Sequence, residues 1–342
     1  MYDIGPRTRQ AINGKETLKV AKKVIISGST FPVDEIERLS GFGVNVETVP
    51  ADLGTDAVLD RLSSAWGYVL GGAEKISESD WSRVPELAVA CFLGTGWESF
   101  MRLPKEKSHT AFCYTPHANA EAVAEFSLGL LIDVTRKISS RVIDVREGRW
   151  NENSTSSLIG SSLGIVGMGH VGRNVAKMFS GAFGGTVYYW NRTDRPENHD
   201  LPYVKCDNIS EACEKADNVI VCLGYVPGET DGLIGAGEVQ AVGSTGSIVN
   251  AARAELIAPQ ILYEALKSDS LGAVAIDGYY TEPTPLPSED SDMLLQLPSD
   301  KVLVTPHCAY LSSQAIKKMS EMATDNLIAV AEGNAPPFEI SK

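Results

Sequence analysis

No apolar run in this 342-residue chain approaches the roughly 18 residues that a membrane-spanning helix needs, so the sequence predicts no membrane span. Basic residues are in the minority: 30 Lys and Arg stand against 44 Asp and Glu, a net charge of −14. Such a surface repels phosphate backbones and anionic lipid headgroups, which argues against nucleic acid and membranes as partners. A local basic pocket can still admit a small anion. Cysteines are few and scattered: Cys91, Cys113, Cys206, Cys213, Cys222 and Cys308, with no CxxC pair. They read as buried thiols of a reducing compartment, not as a disulfide framework or a zinc site, and no metal is expected. The opening "MYDIGPRTRQAINGKETLKVAKK" has basic residues but no apolar core, so it does not read as a secretory signal. The expected location is the cytoplasm.

The length exceeds what one ordinary core fills, which predicts two domains. In the first 115 residues or so, "KVIISGS", "VNVETVP", "WGYVLGG" and "LAVACFLGTG" read as strands, with "PVDEIERLSGFG" as a helix between the first two. Strands alternating with helices predict a parallel α/β layer. Residues 119–150 keep helical spacing over many turns with no proline and read as one long helix bridging two domains. A second α/β series follows, with strands in "LGIVGMG", "TVYYWN", "NVIVCL", "GSIVNAA", "LGAVAIDG" and "KVLVTPH". Repeated βα units predict a doubly wound parallel sheet. A last helical segment follows His307 and is expected to pack back on the first domain.

The stretch "LGIVGMGHVG" carries Gly167, Gly169 and Gly172 between a strand and a helix, with a second strand at the right distance. In that context the three glycines serve a tight turn, a close approach to a pyrophosphate, and close helix packing. The helix N-terminus then offers N–H groups to phosphates. The second strand ends in Asn191, Arg192 and Thr193, where an NAD-selective site would place an acid. An arginine there suits a 2′-phosphate, so NADP is favoured over NAD. Asp194 comes too late to be the ribose ligand.

Three later segments end strands, where ligands of open α/β sheets sit. "IVNAARAEL" gives Arg253, "VAIDGYYTEP" gives Asp277 and Glu282, and "VLVTPHCAY" gives His307. Together they offer a cation for a carboxylate, a proton donor, and an acid beside that donor. Reduction of a 2-oxo acid needs those roles and a hydride from nicotinamide.

These segments, with "GTGW" and "NAEAVAEF" in the first half, resemble the D-isomer-specific 2-hydroxyacid dehydrogenase family in its short form, which has no C-terminal regulatory domain. The resemblance covers nearly the whole chain. It implies two Rossmann-like doubly wound domains and a homodimer. One, flavodoxin-like and substrate-binding, would comprise residues 1–118 and 312–342; the other, residues 119–311, would bind NAD(P). By position, Arg253, Glu282 and His307 resemble the catalytic arginine, acid and acid/base. Gly167, Gly169, His170, Val171, Gly172, Asn191, Arg192, Thr193, Thr230, Ala251, Ala252, Arg253, Asp277 and His307 would line the cofactor site. Gly72, Gly94, Thr95 and Gly96, with Arg253 and His307, would hold a 2-oxo or D-2-hydroxy acid. "LGGAEK" stands where phosphoglycerate-type members carry arginines, which leaves Lys75, Trp97 and Arg102 as candidates for gripping a phosphate. The competing class is an NAD(H)-binding, corepressor-like interaction protein with residual dehydrogenase activity. "TPHCAYLSSQ" slightly resembles the histidine segment of those relatives.

Overall fold

The computed structural model describes residues 22–341 apart from 29 and 107, so the reading of residues 1–21 lies outside the described residues. The first unit runs β1 (Lys22–Ser27), α1 (Val33–Gly41), β2 (Val44–Val49), α2 (Thr55–Leu62), β3 (Gly67–Leu70), β4 (Val89–Phe92) and β5 (Ala111–Cys113). All strand pairs are parallel, in the order β2-β1-β3-β4-β5. This is the flavodoxin-like arrangement. The residues of β3 and β4 are all buried, as strands covered on both faces by helices must be.

The chain then runs through α3 (Ala120–Arg136) and α4 (Ile138–Arg146). The expected single helix over 119–150 is therefore wrong: it breaks at Lys137, whose φ of 55° is left-handed. The cause lies in the sequence. The Asp133 carboxylate accepts the Ser139 N–H at 2.7 Å and the Ser139 hydroxyl, so a side chain takes the amide that a continuous helix would bond to backbone.

The second unit comprises β6 (Leu163–Val166), α5 (His170–Phe183), β7 (Val187–Trp190), β8 (Val204–Lys205), α6 (Ile209–Glu214), β9 (Asn218–Val221), α7 (Ala236–Val242), β10 (Ser247–Asn250), α8 (Pro259–Lys267), β11 (Ala273–Asp277) and β12 (Val302–Thr305). Its parallel sheet has the order β12-β11-β10-β9-β6-β7-β8. Counted from β6, that is the dinucleotide-fold order 3-2-1-4-5-6 with one further strand. Leu128, Leu131 and Val134 of α3 pack with Ile165, Val175 and Phe179 in its core. The last helix, α9 (Ser313–Ala331), returns to the first sheet. There Ala323 and Leu327 join Val24, Ile26, Val89 and Cys113, and Ile340 N–H reaches Phe112 O at 2.8 Å.

Among the described residues, no helix is long and apolar enough to cross a membrane, and no side-chain group could hold a metal ion. All six cysteines are free. Burial pushes the Cys91, Cys213 and Cys222 thiols up to about 12, which leaves them almost wholly protonated at neutral pH.

Candidate active site

The order of the second sheet reverses between β6 and β9, and the glycine loop lies at that switch point. Gly167 has φ +105°, and a side chain there would meet Cys222 O at 2.7 Å. A Cβ on Gly172 would stand 2.1 Å from Gly167 O, so α5 approaches the loop as only glycine permits. Gly169 faces open space, with nothing within 4 Å of a built Cβ. His170 opens α5, a 14-residue helix, and Val171 packs partly into the core beneath. The residues present therefore fit a dinucleotide: a side-chain-free face beside a helix N-terminus.

At the end of β7, Asn191 turns inward. Its Oδ1 accepts Met168 N–H at 3.0 Å and its amide donates to Thr193 O at 2.6 Å, so it braces the glycine loop. Arg192 and Thr193 are exposed. Asp194 is held by Lys205 at 2.7 Å and His199 at 2.9 Å. Thr230 is buried and closes its own loop, accepting Val226 N–H at 2.8 Å.

The ends of β10, β11 and β12 converge. His307 Nδ1 lies 3.1 Å from both oxygens of Glu282, and its Nε2 lies 3.4 Å from Arg253 Nη1. A carboxylate only accepts, so Nδ1 carries a proton and Nε2 faces the guanidinium. Burial alone would raise the Glu282 carboxyl. The His307 hydrogen bond and charge, the Tyr279 N–H at 3.0 Å and the Arg253 charge outweigh it and hold the group below the ordinary carboxylate range. Burial draws the Arg253 guanidinium downward, against the charges of Glu255, Glu282, Glu98 and Asp277.

Asp277 is buried and fully engaged: Thr305 Oγ1 donates at 2.7 Å, Cys308 N–H at 2.9 Å and Ala309 N–H at 2.8 Å. These bonds hold the segment around His307, whose φ is +53°, a strained value for a residue with a side chain.

Across the cleft, the loop after β4 supplies Gly94, Thr95 and Gly96. Among the described residues no acceptor takes their three N–H groups. Arg253 Nη2 reaches Gly96 O at 3.5 Å, and a side chain on Gly96 would stand 2.9 Å from that nitrogen. A cavity of about 270 Å³ brings together Gly94, Thr95, Gly96, Arg253, Glu282 and His307. Gly72 lines it too, but donates its N–H to Ser27 Oγ at 3.2 Å. Ala251 and Ala252 follow β10, and Ala252 carbonyl accepts from Arg253 Nη1 at 2.7 Å. Lys75, Trp97 and Arg102 do not line this cavity.

Several supporting residues escaped the sequence reading. Buried Asn250 braces the turn that carries Arg253, accepting Ala252 N–H at 3.1 Å and donating to Arg253 O at 2.8 Å. Asn119 accepts the Thr95 hydroxyl at 3.1 Å. A strand ending in Asn before "AAR" was the available signal for the first; nothing local marked the second.

Residues 128–309 match the profile of the D-isomer specific 2-hydroxyacid dehydrogenase NAD binding domain. The chain is 28% identical to a glyoxylate reductase of Thermofilum pendens over 278 residues, 79% of each protein. It is 26% identical to glyoxylate/hydroxypyruvate reductase B of an Enterobacter species over 325 residues, 92% of this chain and 96% of that one. A crystal structure of a Thermus thermophilus protein superposes with a TM-score of 0.80 at 28% identity, covering 93% of this chain and 100% of that one. In fold alone, the chain is also similar to the NADPH-dependent glyoxylate/hydroxypyruvate reductase of Sinorhizobium meliloti, with a TM-score of 0.75 at 22% identity, covering 94% and 98% of the two chains. Since the profile spans more than half of its length, the chain belongs to the D-isomer-specific 2-hydroxyacid dehydrogenase family.

Proposed function

We propose that the protein reduces a 2-oxo acid to the D-2-hydroxy acid, with NADPH preferred to NADH. The observation that carries this is His307 set between Glu282 and Arg253 in one cavity with the N–H groups of Gly94, Thr95 and Gly96, which no acceptor among the described residues takes. Arg253 and that loop hold the substrate carboxylate, since a guanidinium fork and converging amides both suit a planar anion. When bound, the nicotinamide supplies the hydride. His307 gives a proton from Nε2 to the carbonyl oxygen, and Glu282 orients the ring through Nδ1. Asp277 keeps His307 in place through the 308–309 amides. Cofactor contacts fall to Gly167, Gly169, His170, Val171, Gly172, Asn191, Arg192, Thr193, Thr230, Ala251, Ala252, Arg253, Asp277 and His307. In this reading, residues 1–118 with 312–342 form the substrate unit and residues 119–311 the cofactor unit.

The cofactor preference is tested on Arg192, which is exposed at the end of β7 and makes no ion pair among the described residues. A charge-assisted hydrogen bond to a 2′-phosphate is worth about 1.5–3 kcal/mol. Arg192→Ala is therefore expected to raise the KM for NADPH by about tenfold or more and to leave that for NADH nearly unchanged. Steady-state kinetics with both cofactors and a panel of 2-oxo acids checks this. Equal losses, or a parent that prefers NADH, would refute the assignment.

We also propose a cytoplasmic homodimer. Its support is the family together with the exposed apolar side chains Val142, Ile143, Val145 and Trp150, the last 78% exposed. Sedimentation should give about twice the chain mass of 36.7 kDa. A species of single chain mass at assay concentrations would contradict it.

A further inference from the structure

Behind one wall of the cavity lies a buried carboxyl group with no part in the reaction so far described. Glu74 is only 4% exposed. Its Oε1 accepts the hydroxyls of Ser27 and Tyr68. Its Oε2 has no hydrogen-bond partner, and Glu74 forms no ion pair among the described residues. The position of Oε2 is revealed by Gly72. A Cβ on that residue would stand 2.2 Å from Glu74 Oε2 and 2.9 Å from Ala51 O. Gly72 and Ala51 both line the cavity. The carboxyl oxygen therefore lies directly behind a wall that has no side chain to shield it.

Among the described residues that line this cavity, the rest of that wall carries no cation; the exposed Lys75 lines the adjoining pocket, which shares Ala73, Phe100, Arg253, Glu282 and His307 with it. Gly71, Ala73, Phe92 and Leu93 complete it, whereas Arg253 and His307 form the chemical end of the cavity. A 2-oxo acid whose carboxylate is held by Arg253 and the 94–96 loop, with its carbonyl beside His307, is left to place its side chain toward the wall. There the side chain meets the field of Glu74. That field is several-fold stronger than in water, because the effective dielectric constant near a protein site is about 20, not about 80.

We propose that Glu74 selects the charge of the substrate's side chain: the cavity takes a 2-oxo acid with a neutral or cationic side chain and rejects one ending in a second carboxylate or phosphate. The inference rests on the reading of the cavity as a 2-oxo acid site. Glu74 also fixes the shape of the wall, since its partner Ser27 accepts Gly71 N–H at 3.1 Å and Gly72 N–H at 3.2 Å. The test must therefore separate charge from shape.

Three substrates with the same five-carbon backbone do so: 2-oxopentanoate, 2-oxoglutarate and 5-guanidino-2-oxopentanoate, assayed with saturating NADPH. For the parent, kcat/KM for 2-oxoglutarate is expected at least tenfold below that for 2-oxopentanoate. Glu74→Gln should narrow that gap at least fivefold and weaken the guanidino substrate relative to 2-oxopentanoate. Ratios between substrates cancel any general loss of activity. Ser27→Ala disturbs the wall but keeps the charge, and should leave the ratios in place. A parent that turns over 2-oxoglutarate as well as 2-oxopentanoate overturns the proposal without any variant. So does a Glu74→Gln protein with unchanged ratios, or a Ser27→Ala protein whose ratios shift as far as those of Glu74→Gln. Absence of turnover with every 2-oxo acid is a different result, and refutes the oxo-acid reading itself.

Discussion

Replacement of His307 by alanine is expected to lower kcat by about 10²–10⁴-fold, the usual range for a lost general acid–base group. The expectation follows from the ring's two faces. Nδ1 is bound to both oxygens of Glu282, so that side is committed to orientation. Nε2, beside Arg253 at 3.4 Å, is the nitrogen left for the substrate oxygen. Cofactor affinity should change far less than turnover, because His307 is one of many expected cofactor contacts and the glycine loop is built on β6 and α5. Fluorescence titration of NADPH alongside single-turnover kinetics separates the two effects. Near-parental turnover in the alanine variant would remove His307 from the proposed chemistry.

Arg253→Lys should show the second large effect, a loss of about ten- to a hundredfold in kcat/KM. A lysine keeps the charge but replaces a planar fork with a point charge. One lost charge-assisted hydrogen bond is worth about 1.5–3 kcal/mol, and each 1.4 kcal/mol is a factor of ten. In place, the fork divides its work: Nη1 donates to Ala252 O and lies near His307, and Nη2 points to Gly96 O. An ammonium at the same site cannot hold all of these directions. A lysine variant with the parental kcat/KM would show that the fork is not used.

Much of this arrangement was legible in the residues. Continuous apolar runs ending in glycine gave the parallel strands, and three glycines between a strand and a helix gave the cofactor loop. Arg253, Glu282 and His307 were named from segments 29 and 25 residues apart, and the structure places them side by side. What escaped was short or relational. The three-residue β5 and two-residue β8 carry too few positions for any periodicity to register. The break at Lys137 depends on a carboxylate at Asp133 reaching forward six residues, which spacing alone does not disclose. Asn191 was placed at the cofactor by its position after a strand and Asp277 by the family resemblance, and neither placement foretold the hydrogen bonds their side chains make. In the structure the Asp277 carboxylate is spent on the His307 turn, and the Asn191 side chain on the glycine loop. Glu74 gave no signal at all, since its meaning comes from a glycine two residues away that faces a cavity built from both sheets.

The proposed carboxylate site is divided between two bodies. Arg253 stands at the end of β10 in the seven-stranded sheet, and Gly94, Thr95 and Gly96 follow β4 in the five-stranded one. A small acid that touches both is a tether across the cleft as well as a ligand. It favours the arrangement in which the two halves face each other only by the difference between its affinity for that arrangement and for all others. If the free protein spends time with the two sheets apart, part of the interaction energy of the carboxylate is expressed as closure and not as tightness of binding. The measured affinity of a substrate therefore understates the strength of its local contacts by the free energy of bringing the sheets together. Product departure has the same geometry in reverse, since the tether must let go of one sheet before it can leave the other.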